Sequence, residues 1–166
     1  MFQKLSGRPS GNISNSAKVL GFMEAFEQSV GENILDGRAV TLRLLSLRLR
    51  LIEESAAELA KSVEDFSFWS ARFDIDAETK REKTQAAFVE IIDSLAGLLY
   101  AVYGFFHAFG VDADAALEAV HESNMSKLDE YGRPIYREDG RVLKGPSYRP
   151  PDFSAILSEY LKACNL

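Results

Sequence analysis

The stretch TLRLLSLRLRLIEESAAELAKSV, residues 41–63, repeats leucine at helical intervals and then changes character at Glu54 and Glu58. At about 100° per residue, Leu45, Leu49, Ile52, Ala56, Leu59 and Val63 form one seam. Leu44, Leu47 and Leu51 form a second stripe on nearly the opposite side, and Glu54 and Glu58 continue it. A helix apolar on two faces is buried on both, so this one is expected at the centre of a bundle or in a subunit interface. Carboxylates that follow leucines along such a stripe are not expected to be fully exposed.

Working outward, the same periodicity predicts an all-α chain. A first helix covers about 16–30, with Ser14, Asn15 or Ser16 as N-cap, and GENILDG (31–37) breaks it. The central helix runs over about 38–64. The aromatic connector FSFWSARF (66–73) leads to a third helix over about 76–109, ended by Gly110. Asp112 caps a fourth helix reaching roughly Leu128. Residues 129–151 are not helical, and PIYREDGRVLK within them reads as two short strands around an Asp139-Gly140 turn. Asp152 caps a last short helix to about Ala163. The expected architecture is one domain, 1–166, with a core resembling a four-helix bundle, a hairpin or loop segment and a final helix. The first dozen residues are expected to be loose.

Composition narrows the function classes. The chain has 166 residues, 46% of them hydrophobic, and a formal net charge of −6. That balance argues against a bulk nucleic-acid or anionic-membrane binder. The single cysteine, Cys164, excludes an internal disulfide framework and fits a reducing compartment. With no apolar signal region at the N-terminus, the expected location is the cytoplasm. IIDSLAGLLYAVYGFFHAFG (91–110) is apolar enough to span a bilayer. Asp93 and His107 lie inside it and a polar helical stretch runs into it, so a buried core helix is the expected reading. So much apolar helix surface also predicts a homodimer or homotetramer.

The chemistry concentrates in carboxylates. Glu90 and Asp93, in EIID, are three apart on one helix face, together with Ala86, Gly97, Tyr100 and Gly104. Two mid-helix glycines cost stability and make sense if something approaches the backbone closely; tight helix packing is the plainer account. Four converging carboxylates, Glu54, Glu58, Glu90 and Asp93, need either buried cationic partners or a hard cation. Oxygen-only ligands select Mg²⁺, with Mn²⁺ as substitute, over zinc. One ExxH, Glu118 to His121, has the form found in di-iron carboxylate bundles, but those need two such motifs. His121 is otherwise a structural or substrate-side residue, and His107 a core-edge one.

A glutamate cluster on one helix followed by ExxD on the next resembles the all-α NTP pyrophosphohydrolases. That superfamily includes MazG-like proteins, dimeric dUTPases and phosphoribosyl-ATP pyrophosphohydrolases, with helical motifs written EExxE and ExxD. HESNMSKLDEYGRPIYREDGRVLKGPSYRPPDF (121–153) is similar to the C-terminal part of a MazG-like subgroup labelled phosphoribosyl-ATP pyrophosphohydrolase-like. The resemblance covers roughly 42–153. Two departures stand out: Ser55 falls where the second glutamate of EExxE belongs, and the connector between Glu58 and Glu90 is long. The resemblance implies hydrolysis of a nucleoside triphosphate to monophosphate and pyrophosphate, with Mg²⁺ held by Glu54, Glu58, Glu90 and Asp93. It implies Glu53 or Glu54 as general base, Glu53 being equally readable as a solvated residue. It also implies that Asn124 and Lys127 face the nucleotide and that Lys144 and Tyr148 close over its phosphates. Arg133, Arg137 and Arg141 form a basic run that is either a solvated hairpin or a lure for the anionic substrate. Two other classes compete: a non-catalytic helical interaction module that lost a ligand at Ser55, and a di-iron enzyme.

Overall fold

The computed structural model describes residues 13–166; the expectation of loose first residues lies outside them. The described chain is all-helical: α1 Asn15–Ala25, a 3₁₀ turn Ile34–Asp36, α2 Ala39–Ser70, α3 Ala77–Ala108, α4 Ala113–Met125 and α5 Ser154–Ala163. Caps explain the starts. Ser14, Asp76 and Asp112 each accept backbone N–H groups of the first turn that follows. At the α5 start, Asp152 accepts the Ser154 N–H at 2.9 Å, one residue before the cap position.

α2 and α3 form a long antiparallel hairpin. Its register follows from three contacts: Arg48 lies against Gly104, Ser62 Oγ is 2.9 Å from Ser94 Oγ, and the Phe66 and Phe88 ring centroids are 6.1 Å apart. The α2 residues turned from solvent are Leu45, Arg48, Ile52, Ser55, Leu59, Ser62, Phe66 and Trp69. Their alternating three- and four-residue spacing is that of a coiled-coil seam. Thr84, Ala87, Ile91, Ser94, Leu98 and Ala101 face them from α3. This corrects the expected seam, because Leu49 and Val63 are exposed while Arg48, Ser55 and Ser62 take inner positions. It also corrects the connector: Phe66 and Trp69 keep the seam spacing, so α2 continues through the aromatic run to Ser70.

The remaining elements gather at the C-terminal end of α3. Val19 and Met23 of α1 bury themselves with Ala108 and Phe109. The chain after α1 is tied there too, as Gly31 and Glu32 donate to the His107 and Ala108 carbonyls at 2.9 Å each. The Tyr160 hydroxyl of α5 accepts the Ile34 N–H at 2.7 Å and donates to the Glu32 carbonyl at 3.3 Å. Consequently α3 is not the buried core helix expected. It is long and apolar enough to cross a membrane by length and composition, and 6% of its most apolar window is buried within the chain. Phe88, Val89, Ile92, Leu95 and Leu99 are exposed.

Residues 129–151 form a minimal hairpin rather than two strands. A single bridge joins Tyr136 and Val142, with Gly140 at φ 82° in the turn.

Candidate functional site

The hairpin register puts the carboxylates on one side. In an antiparallel pair, residues immediately preceding the seam on both helices flank the same edge, and Glu58 and Glu90 hold those places. Glu54 and Asp93 stand one step further out on the same side. Glu53 is on the other side of α2, and Ser55 sits half-buried in the seam. Ser55 therefore points into the partner helix rather than along the outer edge that Glu54 and Glu58 share, which leaves Glu54 as the carboxylate beside Glu58.

Along the axis the four are spread. At 1.5 Å per residue Asp93 lies about 5 Å from the level of Glu58, and Glu90 about 15 Å from that of Glu54. Among the described residues no three His, Cys, Asp or Glu side chains converge closely enough to hold a metal ion. All four carboxylates are exposed, a correction to the expected burial of Glu54 and Glu58. Their stripe is uncovered along with them: Leu47 is 44% and Leu51 36% exposed. Among the described residues, no salt bridge engages any of the four.

The two glycines of α3 differ. A Cβ on Gly104 would stand 3.2 Å from Arg48 Nη1, so that glycine makes room for a buried guanidinium. Arg48 is 7% exposed, donates to Gln28 Oε1 at 3.0 Å, and leaves Nε without a partner. Burial lowers its pKa. Gly97 has nothing within 4 Å of where its Cβ would stand. Its cost, about 1 kcal/mol against alanine in a helix, has no return inside the chain.

A second group forms where α4 ends. Lys127 Nζ donates to Asn124 Oδ1 at 2.6 Å, and Lys144 Nζ lies 4.1 Å from the Tyr148 ring centroid. The neighbouring Ser123 hydroxyl, then Lys144 and Lys127, hold the Tyr148 phenol below the ordinary tyrosine range. Sequence reasoning missed Ser123 and Ser126, which fix the returning chain. Ser123 Oγ donates to the Arg149 carbonyl at 2.8 Å, and Ser126 Oγ accepts the Arg149 N–H at 2.9 Å. Gly145 then closes on the end of α4: its N–H donates to the Lys127 carbonyl at 3.0 Å, and a Cβ there would meet Leu128 O at 2.5 Å. The structure thus brings Asn124, Lys127, Lys144 and Tyr148 into one neighbourhood. Among the described residues neither lysine has a carboxylate partner, whereas Arg133 pairs with Asp129 and both Arg137 and Arg141 with Asp139. Each arginine of the run is engaged by an aspartate of the same loop, whereas Lys127, Lys144 and the nearby Arg149 have no carboxylate partner among the described residues.

The α3 face that meets α4 and α5 is not the carboxylate face. Leu99, Val102 and Phe106 turn toward α4 and α5 around a cavity of about 540 Å³, while Glu90 and Asp93 point past the opposite edge. Glu118 and His121 are exposed on α4, and His107 Nε2 is held at 2.9 Å from the Ser16 carbonyl oxygen, a structural role.

A family model described as phosphoribosyl-ATP pyrophosphohydrolase matches residues 21–124, more than half of the chain. The matched span holds all four carboxylates and Asn124, and it ends before Lys127, Lys144 and Tyr148. No curated protein matches the chain.

Proposed function

Given that the chain belongs to the phosphoribosyl-ATP pyrophosphohydrolase family, and so is a hydrolase of an acid anhydride in a nucleotide, we propose that it converts (d)NTPs to monophosphate and pyrophosphate with Mg²⁺, in the cytoplasm. The observation that carries this reading is the set of four unpaired carboxylates along one edge of the α2–α3 seam. The donors are all oxygen, no cation among the described residues competes for them, and their exposure leaves the side chains free to turn toward ions along the edge. These features fit more than one hard divalent cation shared along that edge by Glu54, Glu58, Glu90 and Asp93, since the four are too spread for a single ion, with Mn²⁺ able to replace Mg²⁺. When bound, such an ion offsets phosphate charge and polarises the bond to be cleaved.

The chain's own residues supply the rest. Glu54 is the base that orients and deprotonates the attacking water; Glu53, on the other side of α2, is a solvated residue. Lys127 and Lys144 receive phosphate oxygens as unpaired point charges, Tyr148 donates its phenolic proton, and Asn124 hydrogen-bonds the sugar or base. Because α4, at whose end Lys127 stands, packs on the α3 face turned away from the carboxylates, one complete site draws carboxylates and lysines from two copies in a homo-oligomer, a dimer in the simplest case.

The test is a hydrolysis panel over canonical and modified (d)NTPs and phosphoribosyl-ATP, with Mg²⁺ or Mn²⁺ and product identification. Monophosphate and pyrophosphate from at least one (d)NTP are expected. Turnover of phosphoribosyl-ATP alone rejects the (d)NTP reading, and metal-independent turnover rejects the metal.

A further inference from the structure

We infer that Phe22, Phe26 and Tyr100 form the platform on which the substrate's base stacks, with Gly97 as the open floor between that platform and the carboxylates. This rests on the proposed reaction only in assuming that the bound molecule is a nucleotide. The Phe22 and Phe26 ring centroids are 4.4 Å apart, and Tyr100 meets Phe22 edge-on at 5.5 Å. Despite this mutual packing the rings stay open to solvent, Phe26 at 66% and Tyr100 at 41% exposure. An exposed cluster of three rings on the end of a helix is unusual unless something covers it.

Position identifies what covers it. α1 runs antiparallel to α3, from Ser16 against His107 to Phe22 against Tyr100. Its C-terminal end, at Phe26, is therefore directed along α3 toward Asp93. Tyr100, Gly97, Asp93 and Glu90 follow one another along a single α3 face, and the hairpin register sets Tyr100 within about one turn of the level of Glu54. Reading along that face, an aromatic surface gives way to a bare backbone at Gly97 and then to uncompensated carboxylates. A nucleotide has the same order: a planar aromatic base, a sugar, and phosphates that carry a cation. Gly97 supports the match independently, since no atom of the described residues comes within 4 Å of its missing Cβ. The space it leaves suits a sugar crossing the helix closely.

Phe26→Ala, Gly97→Ala and the wild type are compared in three measurements: KM and kcat for nucleoside triphosphates, inhibition by pyrophosphate, and saturation-transfer NMR of adenosine and cytidine monophosphates. Loss of one stacking ring is expected to raise KM about tenfold, with the pyrophosphate inhibition constant unchanged because pyrophosphate has no base. Gly97→Ala should raise the melting temperature and still weaken nucleotide binding, which no loss of folding can imitate. If the wild type hydrolyses no nucleotide yet binds monophosphates in a Phe26-dependent way, the proposed reaction falls and the platform stands. Nucleotide affinity unchanged in both variants overturns the platform. So does a shift in oligomeric mass without a shift in affinity, which assigns the rings to a second copy, and so does absence of monophosphate binding by the wild type.

Discussion

Glu58 and Glu90 stand beside the seam, and Glu54 and Asp93 one step out, all exposed and none paired with a cation among the described residues. Charge removal at such positions disturbs little of the fold, since exposed substitutions shift stability by about 0.5 kcal/mol or less. Glu58→Gln, Glu90→Gln and Asp93→Asn are therefore expected to abolish metal-dependent turnover while metal-free melting stays level or rises slightly, as like charges are relieved. Full activity in any of the three removes that residue from the ligand set. Tyr148 makes a different test, because the Ser123 hydroxyl, Lys144 and Lys127 depress its pKa. With the folded value below the unfolded one, ionisation stabilises the fold fully only above the unfolded value, and that gain is lost as pH falls through the folded pKa. Below the folded pKa the ring is protonated in both states and contributes nothing through this linkage. Tyrosine ring ¹³C titration should show the Tyr148 pKa rising in both Ser123→Ala and Lys144→Ala. A value unmoved by either substitution would dissolve the cationic cluster as a unit.

At the scale of elements, the polar seam separates the legible from the illegible. Ser62 Oγ reaches both the Glu58 carbonyl and Ser94 Oγ at 2.9 Å, so the two serines are not equivalent. Ser94→Ala leaves Ser62 with a partner, while Ser62→Ala strands a buried hydroxyl on α3 at a cost of about 1–3 kcal/mol. Chemical denaturation should rank Ser62→Ala below Ser94→Ala in stability; the reverse order refutes the pairing. Apolar periodicity reads out the number, order and approximate ends of the helices, because each helix shows its period locally. It misassigns the seam, because Arg48, Ser55 and Ser62 occupy inner places that a search for leucines passes over. The same limit applies to the carboxylates. That Glu54 joins Glu58, and Glu90 joins Asp93, follows from helix geometry alone. How far apart the pairs stand depends on inter-helix register, set by contacts such as Phe66–Phe88 that no single helix encodes. The fastening of the loop is out of reach of the sequence for a related reason: within 129–151 it is Gly145 that ties the backbone to the α4 end, through the Lys127 carbonyl. Gly145→Ala should speed hydrogen exchange across 129–151 and raise KM, with the metal affinity unchanged. Wild-type exchange in that variant would show that Gly145 does not anchor the loop.

For the whole molecule, the question is what covers the hairpin. Leu47 and Leu51 on one edge, and Phe88, Ile92, Leu95 and Leu99 on α3, are exposed in the single chain. Large apolar faces of this kind are rare on soluble monomers. Family membership supports a soluble protein despite the apolar length of α3, so a second hairpin is a better cover than lipid. Light scattering at micromolar concentration is expected to give a multiple of the 18.5 kDa chain mass; a monomer refutes the assembly. Mass alone does not say whether the copies share a site, but mixing does. Asp93→Asn lacks a carboxylate and Lys127→Ala lacks a phosphate-binding cation, so each homodimer should be inactive or strongly impaired. If each site takes its carboxylates from one copy and its lysines from the other, a heterodimer of the two variants holds one site with both defects and one with neither. Random reassortment of equal amounts makes half the dimers mixed, so about a quarter of all sites should recover wild-type turnover. A mixture as inactive as its components, despite exchange of subunits, would mean that carboxylates and lysines act within one chain after a movement of α4 past α3.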